Sequence, residues 1–313
     1  MEGGLGPRSW PPRHDRLGEG EPVRVVVTGA TGFVASHLLP ALADDGHEVV
    51  AVGHDRARIP SLPGVEPVLC DLGAPFAAGD LPRADAIVHL AQANVRFPDG
   101  ADGLFAVNVA STQRLLEIAR TTGATHFVFA SSGSVYGMAD EVLTESSPLA
   151  ARDFYGATKM AAERLVSAYA DLLATTVIRL FVPYGPGQTG RMIPAIAGRV
   201  RGGEAVTLNG GGRPRMNPVY VADVVAVVRR GLQTTAASVI NVAGPDVVDV
   251  RGLAEAIGAV VGRAPVFEEG SATVGGDIVA ANDLMQAFLG STPLTPLAVG
   301  LDHMLGDGDS TTA

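Results

Sequence analysis

Along this chain, short runs of β-branched and apolar residues alternate with stretches whose apolar positions recur every three or four residues. That alternation predicts parallel strands joined by helices. Residues 23–27, V-R-V-V-V, are apolar on both faces, as a central strand of a sheet covered on two sides requires. Residues 33–44 then carry apolar positions at helical spacing and stop before Gly46, a normal helix end. Further runs predict strands at 48–52, 65–69, 86–90 and 125–130, with a helix over 104–119. Asp153 is an acceptable N-cap for another helix reaching about residue 173. Beyond Phe181 the pattern loosens. Pro183, Pro186 and Pro194, with glycines at 210, 211 and 212, predict loops across 183–212 over the carboxyl edge of the sheet. A helix over 219–232 and a strand over 239–242 follow, and 250–305 holds two helical patterns with Pro293 and Pro296.

The predicted fold class is therefore α/β, a doubly wound parallel sheet with a smaller α-rich substrate-binding cap. The sheet domain takes residues 22–182 with 217–243 returning to it, and the cap takes 183–216 and 244–305. Residues 1–21, with Pro7, Pro11, Pro12 and the one tryptophan, Trp10, lack an apolar stretch and read as a disordered leader, neither signal peptide nor anchor. Residues 306–313 read as a disordered tail.

Composition narrows the chemistry. A chain of 313 residues that is 47% hydrophobic has material for a large core. Its net charge of −10 and pI near 5.1 argue against nucleic-acid or anionic-membrane partners, which need a basic face. No apolar run approaches the ~18 residues of a membrane helix. Cys70 is the single cysteine, so an intrachain disulfide and a Cys-based zinc site are excluded, no metal site is predicted, and a cytoplasmic location is expected.

The first strand runs into Gly29 and Gly32. One glycine allows a sharp turn, and the other removes a side chain where a dinucleotide pyrophosphate approaches the backbone at a helix N-terminus. Ala35 stands where a third small residue allows close helix–strand packing. An ordinary glycine-rich turn is the competing reading. After the second strand, Gly53 occupies the position where an acidic residue would select NAD, and His54, Asp55, Arg56 and Arg58 follow. A cation there suits NADP, while Asp55 suits a ribose, so the cofactor's phosphate state stays open. Asp71-Leu72 falls where adenine is often met, or Asp71 caps a turn. His89 lies inside an apolar run and reads as a hydrogen-bonded core histidine. Asn108 is either solvated or bonds backbone near the site.

A polar cluster, Ser131-Ser-Gly-Ser-Val-Tyr-Gly137, ends the fifth strand, where open α/β sheets place chemistry. Tyr155 and Lys159 are one helical turn apart on one face, so an ammonium can stand beside a phenol and favour its ionised form.

The order of these features resembles the extended branch of the short-chain dehydrogenase/reductase superfamily, the NAD-dependent epimerase/dehydratase family. Its marks include His89-Leu-Ala, Asn108, Ser132, Tyr155-Gly-Ala-Thr-Lys159, Arg179-Leu-Phe, Tyr184-Gly-Pro186 and Asn217-Pro-Val-Tyr-Val-Ala-Asp223, and the likeness runs from about residue 23 to 305. It implies a Rossmann sheet, NAD or NADP as cofactor with NAD preferred, and a nucleotide-linked sugar as substrate. A homodimer through the helices of Asn108 and Tyr155 is a family expectation. By resemblance Tyr155 is the acid/base, Lys159 lowers its pKa and holds the nicotinamide ribose, and Ser132 donates to the reacting oxygen. The implied cofactor set adds Gly29, Thr31, Gly32, Phe33, Val34, His54, Asp55, Arg56, Asp71, Leu72, Leu90, Ala91, Gln92 and Asn108. The implied substrate set is Ser132, Gly133, Ser134, Val182, Arg191 and Arg215.

Gly133 and Ser134 replace the acidic pair of the family's sugar 4,6-dehydratases, which favours an epimerase or 4-ketoreductase. Val182 and Met216 stand where many epimerases have an asparagine and an arginine, leaving Arg191 and Arg215 as candidate diphosphate clamps. A dehydratase, a reductase of a smaller ketone, and a non-catalytic NAD(P)-binding sensor are the alternatives, and intact Ser132, Tyr155 and Lys159 oppose the last.

Overall fold

The computed structural model describes residues 22–306 apart from Asn94 and Ser291, so the predicted leader and all of the predicted tail except Gly306 lie outside the described residues. The first half alternates strand and helix: β1 (Arg24–Thr28), α1 (Phe33–Asp44), β2 (Glu48–Gly53), β3 (Val65–Leu69), β4 (Ala86–His89), α2 (Ala101–Phe105), α3 (Ser111–Thr122), β5 (His126–Ser132), α4 (Phe154–Ala168) and β6 (Ala174–Leu180). The predicted helix over 104–119 is longer than expected, and a wide π-type turn, Ala106–Ala110, joins α2 to α3.

The second half holds β7 (Pro183–Tyr184), α5 (Met192–Gly202), β8 (Ala205–Leu208), β9 (Val219–Tyr220), α6 (Val221–Gly231), β10 (Ser238–Val242), α7 (Val250–Val261), β11 (Val266–Glu269), α8 (Asp283–Leu289) and α9 (Leu297–Leu305). Two expectations need correction here. Residues 183–212 are not all loop, because Pro194 falls in the first turn of α5, where a missing N–H costs no hydrogen bond. The stretch 250–305 carries three helices and a strand rather than two helices, since β11 pairs with β8 in parallel from Val266↔Ala205 to Glu269↔Leu208.

Seven parallel strands form the main sheet in the order β10-β6-β5-β4-β1-β2-β3. Side chains alternate between its faces. Val25 and Val27 join one core with Leu38, Leu39 and Leu42 of α1 and Val224, Val227 and Val228 of α6. Val26 faces the other core, with Leu115 and Leu116 of α3, Ala162 and Val166 of α4, and Phe127 and Phe129 of β5. A separate cluster packs α5, α7 and α9 around Tyr184, Val206, Leu253 and Leu301. The carboxyl ends of β1, β4 and β5 come out side by side, since Thr28 pairs with His89 and His89 with Phe129.

Helix α4 begins where the Asp153 carboxylate accepts the Gly156 N–H at 2.6 Å. Replacing Asp153 with alanine is expected to cost about 1 kcal/mol of stability in a urea titration. A variant as stable as the parent would show that the cap adds nothing.

Candidate functional site

The glycine turn is built for close backbone approach. Gly29 has a φ of +73°, and a Cβ there would stand 2.7 Å from the Ala91 amide nitrogen. A Cβ at Gly32 would come within 3.0 Å of the Gly29 carbonyl oxygen. No side chain caps α1 at Gly32, which leaves its first-turn N–H groups for an anion. These residues fit a dinucleotide pyrophosphate. Thr31, Phe33 and Val34 are half-buried around the turn, and the Phe33 ring meets His37 edge-on.

Around the turn the predicted cofactor residues divide. His54 and Arg56 are exposed beyond β2, and Asp55 Oδ1 accepts the Ala57 N–H at 3.0 Å. Asp71 caps its own turn by accepting the Gly73 N–H at 2.9 Å, while Leu72 is buried in the core. Leu90 packs against the core of β1 and α1, and the Ala91 N–H reaches Thr28 Oγ1 at 3.4 Å. His89 is fully buried and bonded through Nδ1 to Thr28 and Nε2 to Thr112. Burial, then the nearby Lys159 charge, lowers its pKa to about 3, so it is a neutral core histidine. Asn108 lies in the π-type turn, where Oδ1 accepts the Ala93 N–H at 3.1 Å and Nδ2 donates to Thr158 Oγ1 at 3.0 Å. One side chain thus ties the segment after β4 to the helix that carries Tyr155 and Lys159. Such a turn often marks a functional position.

At the end of β5, Ser132 Oγ donates to Ser134 Oγ at 3.1 Å and accepts the Ser134 N–H at 3.1 Å. Gly133 is buried, and a Cβ there would be 2.8 Å from the Phe181 ring. A Cβ on Gly156 would meet the Ser134 carbonyl oxygen at 2.6 Å, so α4 lies directly on the serine turn. Tyr155 is half-buried and its hydroxyl donates to Gln92 Oε1 at 2.7 Å. Burial pushes its pKa up to about 12, while the nearby Ser132 hydroxyl and the Arg191 guanidinium pull the other way. Serine, phenol and arginine, distant in the chain, therefore share one locality.

Lys159 is wholly buried. Its Nζ donates to the Ala130 carbonyl at 2.8 Å and stands 5.0 Å from the Phe129 ring centre and 5.9 Å from that of Tyr155. Burial lowers its pKa to about 7, opposed by the Glu163 carboxylate. It is also the only lysine in the chain. Every other side-chain cation except histidine is arginine, whose charge is not lost at neutral pH. That count was available from the sequence, as was Glu163, one turn beyond Lys159.

Of the other predicted substrate residues, Val182 has a φ of +46°, a left-handed conformation costly for a β-branched side chain. Arg191 is exposed at the start of α5. Arg215 is held by Asp277, with Nε 2.8 Å from Oδ2. The neighbouring Met216 is buried and pairs with Val248 and Ile278.

The model of the NAD dependent epimerase/dehydratase family matches residues 25–243. The chain belongs to that family. Membership makes it an NAD(P)-dependent enzyme. The solved structure of MoeE5 in complex with UDP-glucuronic acid and NAD is 32% identical, with a TM-score of 0.80 over 90% of this chain and 97% of that one. The dTDP-D-glucose 4,6-dehydratase of Mus musculus is 30% identical over 64% of this chain, a match spanning only 62% of the mouse enzyme. The probable UDP-glucuronate 4-epimerase of Rhizobium meliloti is 26% identical over 89% of this chain and 95% of its own length. Among the described residues no group of metal-ligating side chains occurs and no helix is long and apolar enough to cross a membrane.

Two outcomes follow for the family member. Asparagine tolerates the left-handed region, so Val182→Asn is expected to raise stability by about 1 kcal/mol, read as a higher melting temperature. Without cofactor, stability is expected to rise with pH from about 7, because the folded Lys159 has lost its proton while the unfolded one, at 10.5, still holds it. The rise should end near pH ~10, where unfolded tyrosines ionise. Lys159→Met should flatten it, and an equally steep rise in that variant would locate the proton elsewhere.

Proposed function

We propose that this enzyme oxidises and re-reduces a hydroxyl-bearing carbon of a nucleotide-linked sugar, as an epimerase or 4-ketoreductase using NAD. The observation that carries this reading is the meeting of Ser132, Tyr155 and Arg191, with Lys159 one turn below, at the sheet edge where the glycine turn opens. When bound, the nicotinamide supplies the acceptor and donor of hydride. Gly29, Gly32 and the start of α1 would hold its pyrophosphate, and Lys159 its ribose.

Tyr155 takes the proton of the sugar hydroxyl and returns it to the ketone. The phenol is neutral and donates its O–H to Gln92 Oε1, so substrate must draw this hydroxyl away from Gln92. The Lys159 ammonium and the arriving cofactor's positive ring favour the phenolate. Ser132 donates to the reacting oxygen as negative charge grows on it. Arg191, already within electrostatic reach of Tyr155, is the better placed diphosphate partner, because Arg215 is engaged by Asp277.

Against water elimination, the Phe181 ring fills the space a side chain at 133 would need. The likeness to MoeE5, solved with UDP-glucuronic acid and NAD, supports both substrate class and cofactor. We also propose a cytoplasmic homodimer, supported by the single free, buried Cys70 and by Phe105, 54% exposed at the end of α2.

With NAD and a panel of UDP-glucuronic acid, UDP-glucose and dTDP-glucose, proton NMR is expected to show inversion at a hydroxyl carbon, or its oxidation to a ketone with NADH formed, and no loss of water. Tyr155→Phe should lower kcat by about 10²–10⁴-fold. A 4-keto-6-deoxy product, or a Tyr155→Phe enzyme as fast as the parent, would overturn the assignment.

A further inference from the structure

One buried charge pair lies behind the site and no step above uses it. Glu163 and Arg179 are 6% and 5% exposed, with Arg179 Nη2 2.7 Å from Glu163 Oε2 and Nε 3.0 Å from Oε1. Ser131 Oγ also donates to Glu163 Oε1. Arg179 Nη1 donates in turn to the Tyr136 hydroxyl, which donates to Asn241 Oδ1 at 2.8 Å. A salt bridge this deep is a poor source of stability, since both ions lose their hydration. Its position suggests another use. Ser131 lies between Ala130, whose carbonyl receives the Lys159 ammonium, and Ser132, the proposed donor to the reacting oxygen. Glu163 and Lys159 share the buried side of α4, one turn apart.

We propose that Glu163 is a positioning residue: pinned between Ser131 and Arg179, its carboxylate holds α4 against the end of β5 and supplies the negative charge that keeps the Lys159 amine protonated beside Tyr155. The groups facing Lys159 leave this to Glu163 alone. From β4 comes neutral His89, from α4 the neutral phenol of Tyr155, and from β5 only Phe129 and the Ala130 carbonyl. From β6 comes Arg179, positive and bound to Glu163 through Nη2 and Nε. Removing the Glu163 charge therefore removes the one anion opposing the desolvation of Lys159.

The inference rests on the roles given above to Lys159 and Tyr155, but its test needs neither cofactor nor sugar. Because Lys159 is the only lysine, the chain grown on carbon-13 lysine gives one side-chain resonance, whose pH midpoint is read directly. The parent midpoint is expected at about 7. In Glu163→Gln it should fall by about one pH unit, a tenfold weaker hold on the proton. Ser131→Ala, which keeps the charge, should leave the midpoint in place. If Glu163→Gln does not fold, Glu163→Gln with Arg179→Met leaves no unpaired buried charge and should move the midpoint the same way. In turnover, Glu163→Gln should lower kcat about tenfold with KM within twofold. A midpoint unmoved by loss of the carboxylate, or moved as far by Ser131→Ala, would overturn the proposal.

Discussion

A parallel sheet covered on both faces must pair its backbone polar groups strand to strand, because no water reaches them. That requirement fixes the register of β1, β4, β5 and β6, and register decides which residues come out together at the carboxyl edge. The partners of β5 run unbroken from His126↔Ala174 to Ser132↔Leu180. A slip of one residue would turn Ser131 away from α4 and bring a neighbouring side chain of β5 against Glu163. The site is in this sense a product of ladder hydrogen bonds made well away from it.

On this frame the electrostatics favour a resting state. Burial keeps the phenol protonated and pulls the amine toward its neutral form, a pull that Glu163 opposes on the amine. Moving a proton from phenol to amine creates two charges in a partly dry pocket, so the ion pair needs outside help. Arg191, the Ser132 hydroxyl and Glu163 each supply some of it from a different element. The enzyme therefore meets its substrate with the base still masked.

Much of this could be read from the chain, and what could not has physical reasons. Strands and helices of the first half follow from period-two and period-three-to-four patterns, and Tyr155 with Lys159 follows from spacing on one helix. Helix α5 was hidden because Pro194 reads as a breaker unless its place in the first turn is known, and the nearness of Arg191 to Tyr155 was hidden with it. The bond from Tyr155 to Gln92 joins segments 63 residues apart, which no local pattern encodes. Asp71 is a local case, for its Oδ1 accepts the Gly73 N–H two residues on, a turn that the sequence position allows. The ion pair of Arg215 with Asp277 joins residues 62 positions apart, which the local pattern around Arg215 does not encode.

The solitary lysine has a consequence outside chemistry. A peptidase that cuts only after lysine finds one susceptible bond in this sequence, Lys159–Met160, in the middle of α4. Helical backbone packed on a sheet does not enter a protease cleft, so scission there waits for α4 to come away from β5. The rate of that single cut counts how often this enzyme disassembles its own proton-transfer apparatus.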